Sequence, residues 1–158
     1  MNGQLKDAIM LVYTSRFGQV QVADDRVITF PKGILGFPRF HQYVLLQPKA
    51  DSPFYWLQST EAPDLAFVVT DPSQFVPTYR VAVRREQMDE MSLDDLADAQ
   101  VLVIVNKHGD LLTGNLQGPL VVNAATRTGE QLVLSDRRYH TRVPLVEVGE
   151  PLAVAASA

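Results

Sequence analysis

Side chains able to carry out chemistry are few in this sequence, and they are scattered. The three histidines, His41, His108 and His140, lie far apart and lack the close helical spacing that holds zinc on one helix face. There is no cysteine, which excludes a thiolate zinc site, a catalytic thiol and a disulfide framework. Ser59 and Ser135 have no neighbouring base within a motif, so neither is a candidate nucleophile. Asp94 and Asp95 fall where a helix is expected to start and read as partners of its dipole, not as an acid–base pair. Gly33-Ile34-Leu35-Gly36 is too short for a phosphate loop and lacks the Lys-Ser/Thr ending that reaches the phosphates. The sequence therefore predicts no catalytic residue, no cofactor-binding residue and no metal.

Arg80, Arg84 and Arg85 form the densest basic spot, followed by Arg137 and Arg138. Glu86, Asp89 and Glu90 follow the first directly, and 14 basic against 18 acidic residues leave a net charge of -4. Such patches read as solvated faces, because tracking a phosphate backbone takes clustered, unopposed cations. Phe54-Tyr55-Trp56 is the aromatic cluster. On a strand, Phe54 and Trp56 point one way and Tyr55 the other. One face suits the core; the other suits either the core or an interface anchor.

The elements that position these residues are short and strand-like. With 158 residues, the chain suits a single domain that buries roughly 70% of its unfolded surface. Residues 113–123, Thr-Gly-Asn-Leu-Gln-Gly-Pro-Leu-Val-Val-Asn, are its centre. They turn sharply and enter a run whose branched side chains imply cover on both faces. Further strands are expected at 9–14, 19–22, 26–30, 42–46, 54–58, 65–69, 80–84, 101–105, 111–116 and 131–135. Thr128-Gly129 is expected as the hairpin turn before the last of these. One helix is expected from an N-cap at Ser92, with Asp95 three residues on and Leu93, Leu96 and Ala97 on one face. Residues 31–38 break regular structure. Ile34, Leu35 and Phe37 there either fold back over the core or form a contact surface.

The fold class is all-β and mainly antiparallel, a small closed or partly open β-barrel of about ten short strands with one or two short helices. Pattern alone does not separate it from a sandwich; the barrel is preferred because closure removes exposed edges. Residues 1–8 read as a loose lead-in, 9–138 as the domain, and 139–158 as a C-terminal extension whose end at least is flexible. No stretch has signal-peptide order or approaches the roughly 18 apolar residues of a membrane span. A cytoplasmic protein without membrane contact is expected.

An ordered set of motifs resembles the flagellar assembly factor FliW family. Phe17-Gly18 comes first, then Ile28-Thr29-Phe30-Pro31 leading to Gly33 and Gly36-Phe37. Phe54, Trp56-Leu57-Gln58-Ser59 and Leu65-Ala66-Phe67-Val68-Val69 follow, then Asp71-Pro72 with Phe75, Pro77 and Tyr79. The Asn115-Leu116 and Pro119 pattern ending in Val122-Asn123 is the most diagnostic, and Gly129, Gln131, Leu132 and Leu134 close the set. Gly114 and Gly118 depart from it, standing where a small residue such as alanine is expected. The resemblance implies a non-enzymatic protein that binds and antagonises the RNA-binding translational regulator CsrA, docking away from the RNA-contacting residues. It also implies binding of flagellin, which couples flagellin translation to export. Direct nucleic-acid binding is not expected. The partner-binding residues it suggests are Gln58, Ser59, Asn115, Gln117 and Asn123, with Phe37 and Phe75 as apolar anchors. Gln58 and Asn115 are expected to serve binding and not folding. The alternative is a small β-barrel that holds a ligand such as a flavin.

Overall fold

Alternating apolar side chains decide which faces are buried. A computed structural model describes residues 8–147. Its strands are β1 (Ile9–Thr14), β2 (Gly18–Ala23), β3 (Ile28–Thr29), β4 (Gln42–Leu46), β5 (Phe54–Ser59) and β6 (Ala66–Thr70). After the helix α1 (Arg85–Glu90) come β7 (Ala99–His108), β8 (Leu111–Gly114), β9 (Leu120–Asn123), β10 (Gly129–Gln131) and β11 (Val143–Glu147). The lead-in expected over residues 1–8 lies, but for Ala8, outside the described residues, as does the end of the C-terminal extension.

β1 and β2 form a separate antiparallel hairpin. The other strands form one antiparallel sheet in the order β10-β9-β7-β6-β5-β4-β3, with β8 added to β7 and β11 to β8. Long β7 is the spine. Its first half pairs with β9, its second half with β8, and its other edge with β6. The two ends of the path, β10 and β3, meet through a single parallel bridge, Thr29 to Thr128, where the Thr29 amide donates to Arg127 O at 2.9 Å. The expected all-β, mainly antiparallel fold is present as a partly open barrel.

The apolar runs have cover on both faces. Leu102, Leu120 and Val122 point into the barrel with Ile28, Phe30, Tyr43, Leu57 and Val69. Val103 and Val121 point outward into a second core with Tyr79, Met91, Leu93, Leu116 and Tyr139. Leu120, Val121 and Val122 are each at most 1% exposed, as the unalternating sequence requires. The barrel interior is filled by side chains, which disfavours the ligand-holding alternative. Burial pushes the interior Tyr43 hydroxyl up to about 12, with the Glu61 charge adding to the shift.

Four expectations are corrected. Residues 80–84 alternate but form no strand. Val81 and Val83 pack on the outer core, while the Arg80 amide is taken by Tyr139 Oη and the Arg84 amide by Gln87 Oε1. The helix lies at 85–90 and does not begin at Ser92, which has a φ of 56°. Asn123 Nδ2 bonds the Met91 and Ser92 carbonyls, which a continuing helix would have needed, and Asp95 caps only a single 3-10 turn at Leu96–Asp98. Gly129 belongs to β10, and only Gln131 of the 131–135 run is paired in the sheet; Leu132 and Leu134 donate instead to Pro119 O and Gln117 O. Finally, the sheet continues past residue 138. β11 pairs with β8, and the Tyr139 ring meets Tyr79 edge-on at 4.6 Å.

Candidate partner-docking surface

The polar residues of the expected contact set divide by burial. Gln58, Ser59 and Asn123 are 1%, 0% and 4% exposed, so they offer a partner almost nothing. Gln58 Nε2 lies within 3.0–3.4 Å of the carbonyls of Ser59, Ala62, Pro63 and Leu65. Ser59 Oγ accepts the Glu61 and Ala62 amides. Together they fold the β5–β6 turn. Asn123 accepts the Ala125 and Thr126 amides through Oδ1 and so shapes the β9–β10 turn. These residues satisfy backbone groups that would otherwise be buried unpaired, which corrects their assignment to a contact surface.

Asn115 and Gln117 are half-buried in the loop between β8 and β9. Asn115 Oδ1 accepts the Gly118 amide at 2.9 Å, and Gly118 O accepts from Gln131 Nε2 at 2.9 Å. An alanine Cβ at Gly118 would lie 3.0 Å from both Asn115 Nδ2 and Gln131 Nε2, so glycine is what lets the two amides close on this loop. Gln131 Oε1 in turn accepts the Leu35 amide at 2.8 Å. A chain of hydrogen bonds thus runs from Asn115 through Gly118 and Gln131 to the loop at residues 31–38.

That loop folds back over the core through one side chain and leaves two others exposed. Ile34 is 1% exposed and anchors the loop in the barrel core, whereas Leu35 is 63% and Phe37 38% exposed. Phe37 rests edge-on against Phe67 at 5.5 Å. Gly33 makes the turn possible at φ +71°, where a Cβ would stand 2.7 Å from Phe37 O and Pro38 Cα. At the foot of the loop, Lys32 Nζ lies 2.6 Å from Glu90 and 3.6 Å from Glu130. The Glu90 hydrogen bond holds the lysine above its ordinary pKa, despite some opposing desolvation. Preorganised apolar side chains of this kind lose little entropy on docking.

Phe75 stacks on Phe54 at 5.8 Å and is half-buried, so it covers one end of the aromatic cluster. Phe17 and the Arg16 guanidinium, 4.0 Å above the ring centroid, cover Trp56, while Tyr55 packs on the barrel core. Sequence reasoning missed the stripe formed by Ile9, Leu11 and Tyr13, which are 64%, 48% and 55% exposed. The signal was present. β1 is apolar at both parities, and a strand in a detached two-stranded hairpin can bury only one of them. Among the described residues, no His/Cys/Asp/Glu group could hold a metal ion, and no helix is long and apolar enough to cross a membrane.

The family model for the FliW protein matches residues 11–145. The chain belongs to the FliW family. It is 36% identical over 141 residues to the flagellar assembly factor FliW of Alkaliphilus metalliredigens (strain QYMF), covering 87% of each chain. It is 41% identical over 138 residues to that of Bdellovibrio bacteriovorus, covering 86% of this chain and 79% of the relative. A crystal structure of the flagellar assembly factor FliW superposes with a TM-score of 0.80 at 31% identity, over 89% of this chain and all of the other. Within this FliW fold, Asn115 and Gln131 brace the exposed loop, and Gln58 and Asn123 brace turns.

Proposed function

We propose that this chain antagonises a CsrA-type RNA-binding translational regulator by direct protein–protein contact, in the cytoplasm and by an allosteric route. In the same proposal it binds flagellin, so that free flagellin withdraws the antagonist and couples flagellin translation to export. Membership of the FliW family across nearly the whole described fold carries this reading. The braced loop with Leu35 and Phe37 is the docking face we assign to it. Apolar side chains held by a hydrogen-bonded frame suit a specific interface, which buries roughly 800 Å² per partner around a few anchors.

The test is titration calorimetry of the folded protein against CsrA from the same organism, repeated with flagellin present. Saturable binding that flagellin abolishes, and that Leu35→Glu weakens at least tenfold without changing the melting temperature, supports both function and face. Normal binding by Leu35→Glu removes the face. No heat with either partner removes the function.

A further inference from the structure

The fold sets two arginines of the first basic stretch, Arg80 and Arg84, into a cleft shared with residues 132–136. Residues 80–84 and 132–136 run along opposite walls of one cleft of about 180 Å³. Arg80, Ala82 and Arg84 line it from one side, and Val133 and Ser135 from the other. Both walls are extended chain that pairs with no strand. The Leu132 and Leu134 amides turn away towards Pro119 and Gln117. Among the described residues, the amides of Val133 and Ser135 and the backbone of residues 81–83 have no hydrogen-bond partner. Val133 is 66% exposed. These are open edges without the lysines, prolines or bulges that usually block strand pairing.

We propose that an extended, acidic peptide segment of a partner protein binds in this cleft as an added strand. Main-chain bonds to the free amides would supply affinity, and alternate side chains would supply selectivity. Charge sets the sign. Arg80 commits only one guanidinium nitrogen, to the carbonyls of Pro77 and Tyr79, and among the described residues Arg84 forms no ion pair. The carboxylate in the cleft, Asp136, is already engaged by Arg138 at 2.8 Å, and Arg138 itself lies over the Tyr139 ring. The cleft therefore presents net positive charge on a chain whose overall charge is -4. This site does not depend on the loop at 31–38 being the docking face.

The experiment is fluorescence anisotropy of the full chain with a labelled peptide of sequence Glu-Val-Asp-Val-Glu-Val. Two control peptides are Lys-Val-Lys-Val-Lys-Val and the acidic peptide N-methylated at alternate positions. Saturable binding of the acidic peptide alone is expected. Arg84→Glu should weaken it by about tenfold, as loss and reversal of a close charge does. Val133→Pro removes an amide that makes no internal bond, so it should abolish binding while leaving the melting curve in place. Equal binding of the basic or N-methylated peptide would overturn the proposal, as would indifference to Arg84→Glu. Binding of poly-uridylate in preference to the acidic peptide would also overturn it and make the cleft a nucleic-acid site.

Discussion

Two glutamines brace loops in this molecule with opposite results. Gln58 lies in the barrel wall, gathers four carbonyls around its amide nitrogen and disappears from the surface. Gln131 joins two loops, taking the Leu35 amide and giving a hydrogen bond to Gly118 O. Its effect is to hold a leucine out in solvent. The same side chain thus completes a fold in one place and displays a surface in the other. What separates them is whether the braced loop contains an apolar residue with nowhere to bury itself. A polar motif residue marks where a loop is braced; the exposed apolar side chains are its neighbours.

The strongest way to break this comparison is to remove the turn that the displaying loop requires. Gly33→Ala places a Cβ 2.7 Å from backbone atoms at φ +71°. We expect a loss of about 3 kcal/mol or more in urea unfolding, together with loss of the proposed CsrA binding by whatever remains folded. Next come Gln58→Ala and Asn123→Ala, which each strand several buried backbone groups. The expected loss is ~2–3 kcal/mol apiece, with calorimetric affinity of the folded protein unchanged. Reduced affinity at full stability would show that Gln58 does reach a partner. Gln131→Ala should behave in the reverse way. Stability falls by only ~1 kcal/mol, while the proposed CsrA affinity drops several-fold because Leu35 is no longer held.

The smallest effect is one of pH. The Gln42 amide, with help from the His41 amide and against some desolvation, holds the Glu61 carboxyl below its ordinary 4.5. A carboxylate whose pKa is depressed on folding stabilises above its unfolded value and loses that contribution as pH falls through the folded value. Melting temperature should therefore decline below about pH 4.5 more steeply in the wild type than in Glu61→Gln.

Much of the barrel was legible because its strands obey simple parity. Residues 101–105 and 120–122 are apolar at every position, and both prove to be covered on two faces. What failed was decided by contacts distant in sequence. The expected helix at Ser92 is pre-empted by Asn123, more than thirty residues away along the chain. The 80–84 strand loses its terminal amides to Tyr139 and Gln87. The end of the domain lies beyond residue 138 because β11 returns to β8, and nothing local in 139–147 announces that partner. In the loop at 31–38, the sequence marked Ile34, Leu35 and Phe37 together, without showing that Ile34 alone is buried and the other two exposed. For the docking face it favoured Gln58 and Asn123, because the sequence of a carboxamide does not say whether it faces in or out.

Along the path from β3 to β10 neighbouring strands share ladders of two to five residue pairs, whereas its ends meet only where Thr29 bridges Thr128. A cylinder with one such seam does not loosen evenly. Thermal fluctuations that cost least will part it there, momentarily baring Ile28 and Phe30. The tempo at which the interior admits solvent is then set by this seam, with its single bridge and the side-chain ties Arg127 to Arg26 and Gln131 to Leu35, and not by the strength of the walls.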